Sequence, residues 1–203
     1  MIIISEIEMV VILVPRTGTS SLRRAVAKAY PKSFMPYRHM EADGVPLGYD
    51  RWQRVGVVRR PVDRLWSLFK FLRDFGGDHD PAFIARMRNS VDRSFHDWIM
   101  NNEIPFSTPY DSTGQGRYWP QFTCRHPIPE NRKSQQLYLR PDLGTVVFQY
   151  DQIERLYDCL GISYADTERH NQTEQRRAPK LAPDAKRYVR EWFTWDIRVA
   201  GGE

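Results

Sequence analysis

The feature that most constrains the fold is a short apolar run, Met9–Val14, which leads into a glycine turn and then into a helical pattern. The run is rich in β-branched residues and ends at Pro15, which is typical of a strand buried on both faces of a parallel sheet. Apolar residues at helical spacing follow over Ser20–Tyr30. A buried strand, a tight turn and a helix in this order predict the first unit of an α/β fold.

The same succession of apolar strand and helical pattern recurs twice further along the chain. Strands are predicted at Arg54–Val58 and Thr145–Tyr150, and helices at Val62–Phe75, Pro81–Met100, Gln152–Leu160 and Pro183–Val199. Strands that alternate with helices predict a three-layer α/β fold, in which a central, mostly parallel sheet is flanked by helices. The 203 residues fit one domain, and the proline- and glycine-containing stretch at about 101–132 is interpreted as a lid or acceptor-binding loop.

Charge and composition narrow the class of protein. The chain has 30 basic and 25 acidic residues, for a formal charge of +5, and the positive charge is spread along the sequence. Such an excess suits an anionic ligand, whereas a nucleic-acid module usually concentrates it in runs or in one stripe. We therefore expect no nucleic-acid partner, and the sequence offers no indication of the oligomeric state.

Cysteine content and hydropathy predict a cytoplasmic protein. Cys124 and Cys159 are too few for a disulfide framework, and their spacing matches no zinc site. The apolar start of the chain lacks the basic leader of a signal peptide. Because no stretch approaches the roughly 18 apolar residues of a membrane span, we also expect no membrane-spanning segment.

The turn after the first strand has the composition of a phosphate-binding loop. Residues 14–22 have the sequence VPRTGTSSL, in which Gly18 allows an anion to approach the backbone and Arg16 supplies a positive charge. Hydroxyl donors are present at Thr17, Thr19, Ser20 and Ser21. The loop lacks the lysine and the spacing of a Walker A motif, which argues against an ordinary ATPase or GTPase. Taken alone, it also fits a simple turn with a capped helix.

A second candidate phosphate site follows the second predicted strand. Residues 57–69 have the sequence VVRRPVDRLWSLF, and Arg59 lies just beyond the strand. Arg64 and Ser67 are three residues apart in the following helix and so share one face. Their guanidinium and hydroxyl groups could then converge on one phosphate. A solvated basic helix accounts for the other charges but leaves the strand-end arginine unexplained.

Together, these two elements resemble in order and spacing the donor-binding motifs of the sulfotransferase superfamily, which uses 3′-phosphoadenosine 5′-phosphosulfate (PAPS). In that family, a Thr-Gly-Thr/Ser loop binds the 5′-phosphosulfate, and an Arg-Asp-Pro-x-x-Arg-x-x-Ser-like element binds the 3′-phosphate. Later segments also resemble the family, at 94–98 (SFHDW), 118–121 (YWPQ), 147–151 (VFQYD), 170–173 (HNQT) and 188–196. The two phosphate motifs are specific as a pair, whereas each later segment is weak by itself.

The resemblance implies a single P-loop-like sulfotransferase domain over residues 1–203. Such an enzyme would transfer a sulfuryl group from PAPS to a hydroxyl or amine acceptor without a metal. By the resemblance, Arg16 and residues 17–21 bind the phosphosulfate and neutralise the leaving phosphate, and Arg59, Arg64 and Ser67 hold the 3′-phosphate. The later segments look closer to the glycan-modifying branch, which favours a carbohydrate acceptor.

Two positions depart from the family pattern. Arg16 stands where many members have lysine, and Arg60 stands where aspartate is common. An arginine still neutralises charge on the phosphosulfate, but its planar fork does not reproduce the point contact of a lysine. The departure at Arg16 therefore bears on the rate of turnover more than on the identity of the donor.

An acceptor hydroxyl also requires a general base, and members of the family use a histidine or a glutamate. His39, which follows the first helix, is the first choice here, and Glu41 and Asp43 are close alternatives. An exposed loop histidine with no catalytic role is an equally good interpretation of His39.

Three other functions stay open at this stage. The first is a P-loop nucleotide kinase-like enzyme, which would need a lysine in the glycine turn and a magnesium-binding carboxylate at a strand end. The second is a non-catalytic binder of nucleic acid or sulfated glycan, which the net positive charge suggests. The third is a sulfotransferase-like protein that binds the nucleotide but has lost turnover.

Overall fold

The computed structural model describes residues 1–77, 80–100, 126, 128–165, 167 and 178–201. The strands are β1 (Ile2–Ile4), β2 (Met9–Ile12), β3 (Gln53–Val58) and β4 (Val146–Gln149). The α-helices in these residues are α1 (Thr19–Ala29), α2 (Pro61–Arg73), α3 (Pro81–Asn89), α4 (Phe95–Met100), α5 (Gln135–Leu139), α6 (Ile153–Cys159), α7 (Pro183–Trp192) and α8 (Thr194–Val199).

The four strands form one mixed sheet in the order β1-β2-β3-β4. Strands β2, β3 and β4 are parallel to one another, whereas β1 pairs with β2 in the antiparallel sense. Strand β1 was not among the predicted strands, because the apolar start of the chain is cut by a polar stretch. That stretch is a 3₁₀ turn, Ser5–Ile7, followed by Glu8 at a φ of 51°, and it reverses the chain direction within four residues. The predicted α/β fold with helices flanking a sheet is confirmed.

Both faces of the sheet are covered by apolar side chains. Along β2, Val10 and Ile12 belong to one buried cluster and Met9 and Val11 to another, as the alternation of side chains in a strand requires. The first cluster includes residues of α5 and the end of α8, and the second includes residues of α1 and α6. A run that is apolar at every position is therefore accounted for by helices on both sides of the sheet.

Two of the predicted helices are each divided in the structure. The predicted helix 81–100 consists of α3 and α4, and Ser94 Oγ accepts a hydrogen bond from the Asp97 N–H (3.1 Å) at the start of the second. The predicted helix 183–199 is divided at Phe193, which has φ −122° and ψ 29° and buries its ring completely. The short helix α8 then directs the buried Asp196 toward α5. Helical periodicity alone does not reveal such breaks.

Part of the predicted lid lies outside the described residues. Within 101–132, the structure describes only 126 and 128–132, and α5, which the sequence analysis did not assign, begins three residues later. The family-like segments at 118–121 and 170–173 also lie outside the described residues. None of the helices in the described part of the chain is long and apolar enough to span a bilayer.

Candidate functional site

A cavity of about 640 Å³ opens where β2, β3 and β4 end. In a parallel sheet, this edge collects the loops that follow the strands and is the usual place for a ligand. The predicted site residues that line the cavity are Arg16, Gly18, Thr19, Ser20, Ser21, Arg59 and Ser67. Residues from both candidate phosphate elements, which are about 40 residues apart in the chain, thus face one space.

The glycine turn between β2 and α1 requires a glycine at its centre. Gly18 has a φ of 79°, and a Cβ at this position would lie 3.3 Å from both Ile153 Cδ1 and Tyr150 Cε2. Gly18 is also the N-cap of α1 and provides no side-chain cap. Because the first N–H groups of a helix have no acceptor within it, the turn presents donors and the positive end of the helix dipole to the cavity.

Arg16 connects the glycine turn to α2. Its Nε donates a hydrogen bond to Ser67 Oγ (3.2 Å), and its guanidinium carbon lies 4.6 Å from the centre of the Phe71 ring. Burial, followed by the nearby charge of Arg59, lowers the pKa of Arg16 to about 10. Arg16 therefore stays charged at neutral pH, in a position where an opposite charge would be favourable.

Arg59 connects the end of β3 to the same turn. Its Nη1 donates to the carbonyl oxygen of Arg16 (3.1 Å), and its guanidinium carbon lies 4.7 Å from the centre of the Tyr150 ring. Its backbone is held from the other side, because the side-chain amide of Gln135 bonds to both its N–H and its carbonyl oxygen. The strand-end arginine is thereby fixed at the cavity wall.

Lys70 is a lining residue that the sequence analysis did not single out. It lies one helical turn after Ser67, is 4% exposed, and has its Nζ 5.3 Å from the centre of the Trp66 ring. Desolvation and then the charges of Arg59, Arg73 and Arg16 lower the pKa of Lys70. The spacing of three residues from Ser67 was the signal that could have identified it.

Positive charge dominates the buried part of the cavity. Arg16, Arg59 and Lys70 oppose one another electrostatically, as the lowered pKa values of Arg16 and Lys70 indicate. Arg60 lies at the rim, where it pairs with Asp151 at 3.1 Å, and these side chains are 44% and 63% exposed. An exposed pair of this kind contributes little, so Arg16, Arg59 and Lys70 are the main source of positive potential inside the cavity.

Aromatic side chains supply much of the remaining cavity wall. Trp66 comes from α2, Tyr150 from the 3₁₀ turn that follows β4, and Tyr157 from α6. Tyr164, which also lines the cavity, meets Tyr157 edge to face with ring centres 5.0 Å apart. Burial raises the pKa of Tyr157 to about 12, so its phenol stays neutral and available as a donor. Aromatic faces beside buried cations suit a ligand that combines a planar ring with anionic groups.

Two residues predicted to bind the donor do not line the cavity. The Arg64 side chain is fully buried, where it pairs with Glu130 Oε2 (3.0 Å) and donates to the carbonyl oxygens of Glu130 and Lys133. Thr17 is 2% exposed, and its hydroxyl donates to the Val14 carbonyl oxygen (2.9 Å). The expected convergence of Arg64 with Ser67 is thus corrected, because the Arg64 side chain is directed into the protein.

The proposed bases do not line the cavity either. Glu41 is fully buried and forms an ion pair with Lys133 (2.7 Å). Its carboxylate therefore has a structural role and is not accessible from the cavity. Asp43 pairs with Arg140 (2.8 Å) and lies 3.2 Å from His126 Nε2. His39 Nδ1 donates to the Leu13 carbonyl oxygen at 2.7 Å, just before the glycine turn.

His39 leads to a prediction about acid stability. Desolvation lowers its pKa from 6.5 to about 3, against the hydrogen bond to Leu13, so the unfolded chain binds a proton first. Stability should therefore fall as pH decreases from 6.5 toward about 3, with a slope of up to about 1.4 kcal/mol per pH unit. Urea denaturation of the wild-type protein and of His39→Asn at about pH 7 and about pH 5 measures this contribution as the difference between their two slopes. His39→Asn keeps a donor near Leu13 without the titration, and an equal slope in this variant would contradict the assignment.

Comparisons with protein-family models, with curated proteins and with solved structures returned no match. Among the described residues, no group of three or more His, Cys, Asp or Glu side chains is arranged to hold a metal ion. The chemistry of the site therefore follows from the residues of the cavity, chiefly the glycine turn, Arg16, Arg59, Ser67 and Lys70.

Proposed function

We propose that this protein is a sulfotransferase, which transfers a sulfuryl group from PAPS to a hydroxyl or amine acceptor. The observation that carries the proposal is that the glycine turn and the strand-end Arg59 line one cavity. These elements are also the two stretches that resemble the sulfotransferase motifs in sequence. We further propose that the turn between β2 and α1 is the P-loop-like element of the domain.

The cavity offers complementary groups for both ends of the donor. The N-terminus of α1 and Arg16 would hold the 5′-phosphosulfate, since helix N-termini bind phosphate through free N–H groups and the dipole. Arg59, which donates to the Arg16 carbonyl oxygen, would hold the 3′-phosphate. Ser67, which accepts a hydrogen bond from Arg16, would add its hydroxyl to that site. The aromatic wall would receive the adenine ring, and a cavity of about 640 Å³ lies in the size range of cofactor sites.

The transfer step follows from this placement. The acceptor atom attacks sulfur in line, the bond between sulfur and the bridging oxygen breaks, and the nucleotide 5′-phosphate leaves with the electron pair. Arg16, Lys70 and the N–H groups of the turn would stabilise the charge that develops on that phosphate. Lys70, from α2, would thus supply the ammonium charge that the glycine turn lacks. The acceptor proton passes to a base or to water, and Asp63 and Glu154 are carboxylates that line the cavity.

The acceptor is proposed from the sequence alone. The closer resemblance to the glycan-modifying branch favours a carbohydrate, and no contact in the described residues bears on that choice. Loops set acceptor specificity in enzymes of one fold, and most of the predicted acceptor loop lies outside the described residues.

The donor site can be tested by calorimetric titration with adenosine 3′,5′-bisphosphate, ADP and magnesium-ATP. We expect the bisphosphate to bind most tightly, because only this nucleotide places a phosphate at Arg59. Arg59→Ala should weaken bisphosphate binding by roughly 10- to 100-fold, as expected for loss of a charge-assisted hydrogen bond. The same variant should change ADP binding little.

Arg51→Ala is the matched control, since Arg51 is exposed, lies outside the cavity and changes the net charge equally. Wild-type protein that binds none of the three nucleotides, or all three equally, would refute the PAPS site. Preference for magnesium-ATP would indicate a nucleotide kinase-like enzyme instead. An equal effect of Arg51→Ala and Arg59→Ala would indicate non-specific attraction by the net charge.

A further inference from the structure

We infer that Gln135 and Asp196 are positioning residues, which hold Arg59 in place to recognise the 3′-phosphate of the donor. The inference rests on the proposed function, because it concerns the anion that Arg59 would bind. It assigns a role to two residues, in α5 and α8, that belong to neither phosphate motif.

Gln135 holds the backbone of Arg59 with both ends of its side-chain amide. Gln135 Oε1 accepts from the Arg59 N–H (2.9 Å), and Gln135 Nε2 donates to the Arg59 carbonyl oxygen (2.7 Å). Strand β3 ends at Val58, one residue earlier, so the ladder to β4 no longer holds this residue. The Gln135 amide therefore supplies to Arg59 the two backbone hydrogen bonds that a neighbouring strand would otherwise provide. The Gln135 side chain is fully buried.

Asp196 fixes the orientation of that amide. Its Oδ2 accepts from Gln135 Nε2 (3.1 Å), and both of its carboxylate oxygens accept from the Gln135 backbone N–H (3.0 Å each). Ser134 Oγ donates to Oδ1 at 2.6 Å. A carboxylate only accepts, so the end of the amide beside Asp196 is the NH₂ group and Oε1 is the end beside the Arg59 N–H. Asp196 is fully buried, which is costly for a carboxylate without such partners.

The backbone contact determines where the Arg59 guanidinium lies. From a fixed strand end, the side chain extends over the Tyr150 ring and donates through Nη1 to the Arg16 carbonyl oxygen. An arginine has five N–H donors, so this contact leaves others for an anion in the cavity. A continuous chain of contacts thus runs from Asp196 through Gln135 and Arg59 to the glycine turn. A strand end without this support would move more, and precise placement of the guanidinium would be lost.

The test compares two ligands that differ only in the 3′-phosphate, adenosine 3′,5′-bisphosphate and adenosine 5′-monophosphate. Their affinity ratio in the wild-type protein measures what the 3′-phosphate contributes. In Gln135→Leu we expect this ratio to fall by roughly threefold to 100-fold, with little change in monophosphate binding. In an Arg59→Ala background, Gln135→Leu should leave the ratio unchanged, because the residue it positions is absent. A role in general stability would instead weaken both ligands together.

Gln135→Glu provides a second variant of nearly the same shape. Its carboxylate still accepts from the Arg59 N–H but no longer donates to the Arg59 carbonyl, and it faces the charge of Asp196. Protonation restores the donor, so the ratio should recover toward the wild-type value as pH is lowered. The ratio of wild-type protein at each pH is the reference, because the phosphates titrate as well.

The outcomes separate this inference from the proposed function. Wild-type protein with no preference for the bisphosphate over the monophosphate overturns both. A wild-type preference that survives in Gln135→Leu and in Gln135→Glu overturns the positioning role alone. Equal loss of both ligands in folded Gln135→Leu, or a ratio in Gln135→Glu that does not respond to pH, also overturns it.

Discussion

Arg64→Ala is expected to lower the free energy of unfolding by about 3–5 kcal/mol, the loss typical of a buried ion pair broken on one side. Arg64 and Glu130 are 0% and 2% exposed and lie 3.0 Å apart. Without the guanidinium, Glu130 keeps only the Tyr138 hydroxyl among these partners, and the carbonyl oxygens of residues 130 and 133 lose their donor. A buried carboxylate and two carbonyl groups would then be left with too few hydrogen bonds.

Arg60→Ala is the matched control for urea denaturation. Arg60 immediately precedes α2 and pairs with Asp151 at nearly the same distance, 3.1 Å, but both side chains are exposed. Its loss should therefore cost less than about 1 kcal/mol. If Arg64→Ala costs no more than Arg60→Ala, the structural role of the Arg64–Glu130 pair is refuted.

Replacing both members of the pair separates stability from binding. Arg64→Met with Glu130→Leu leaves no uncompensated buried charge, so it should cost much less stability than Arg64→Ala, although the two carbonyl oxygens still lose their donor. The double variant should fold and bind adenosine 3′,5′-bisphosphate like the wild-type protein, since Arg64 does not line the cavity. A folded double variant with lost binding would restore the interpretation of Arg64 as a phosphate ligand.

The long, strongly patterned elements of the fold could be predicted from the sequence. Strand β2 and the second half of β3 are buried apolar runs, and α1 and α2 carry apolar residues at helical spacing, so local pattern and tertiary burial agree there. Strand β4 is predicted as a strand as well, but at the edge of the sheet none of its residues is fully buried. Strand β1 and helix α5 could not be predicted, since they have three and five residues. The N-cap of helix α5 is Ser134, whose hydroxyl also donates to Asp196, 62 residues further along the chain. A contact between residues so far apart in the chain produces no local sequence pattern by which the helix could be recognised.

The candidate site likewise has a part that the sequence predicts and a part that it does not. Gly18 lies in the loop that follows β2 and Arg59 directly follows β3, and sheet topology brings such loops together, so their meeting in one cavity could be predicted. The burial of Arg64 and Glu41 could not, because their partners lie 66 and 92 residues away. A motif spacing specifies which residues share a helix face but not whether that face meets the cavity or the core.

Lys70→Met is expected to have opposite effects on the empty protein and on its complex. Burial and the charges of Arg59, Arg73 and Arg16 disfavour the ammonium group more than the charge of Asp74 favours it, so its removal should stabilise the empty protein. The introduced methionine side chain would retain the packing of a long side chain against Trp66. Thermal unfolding without ligand measures this gain.

The same variant should bind adenosine 3′,5′-bisphosphate at least roughly 30-fold more weakly, because loss of a buried charge from an ion pair typically costs 2–5 kcal/mol. Lys28→Met is the control, since Lys28 is exposed on α1 and carries the same charge, and it should change neither stability nor affinity noticeably. Weaker binding without any gain in the empty protein would mean that Lys70 is already balanced by a neighbouring carboxylate. Unchanged binding would mean that the buried cations do not form the anion site. If the empty protein is stabilised and binding is weakened, then Arg16, Arg59 and Lys70 repel one another in the empty protein, and an anionic ligand relieves that repulsion.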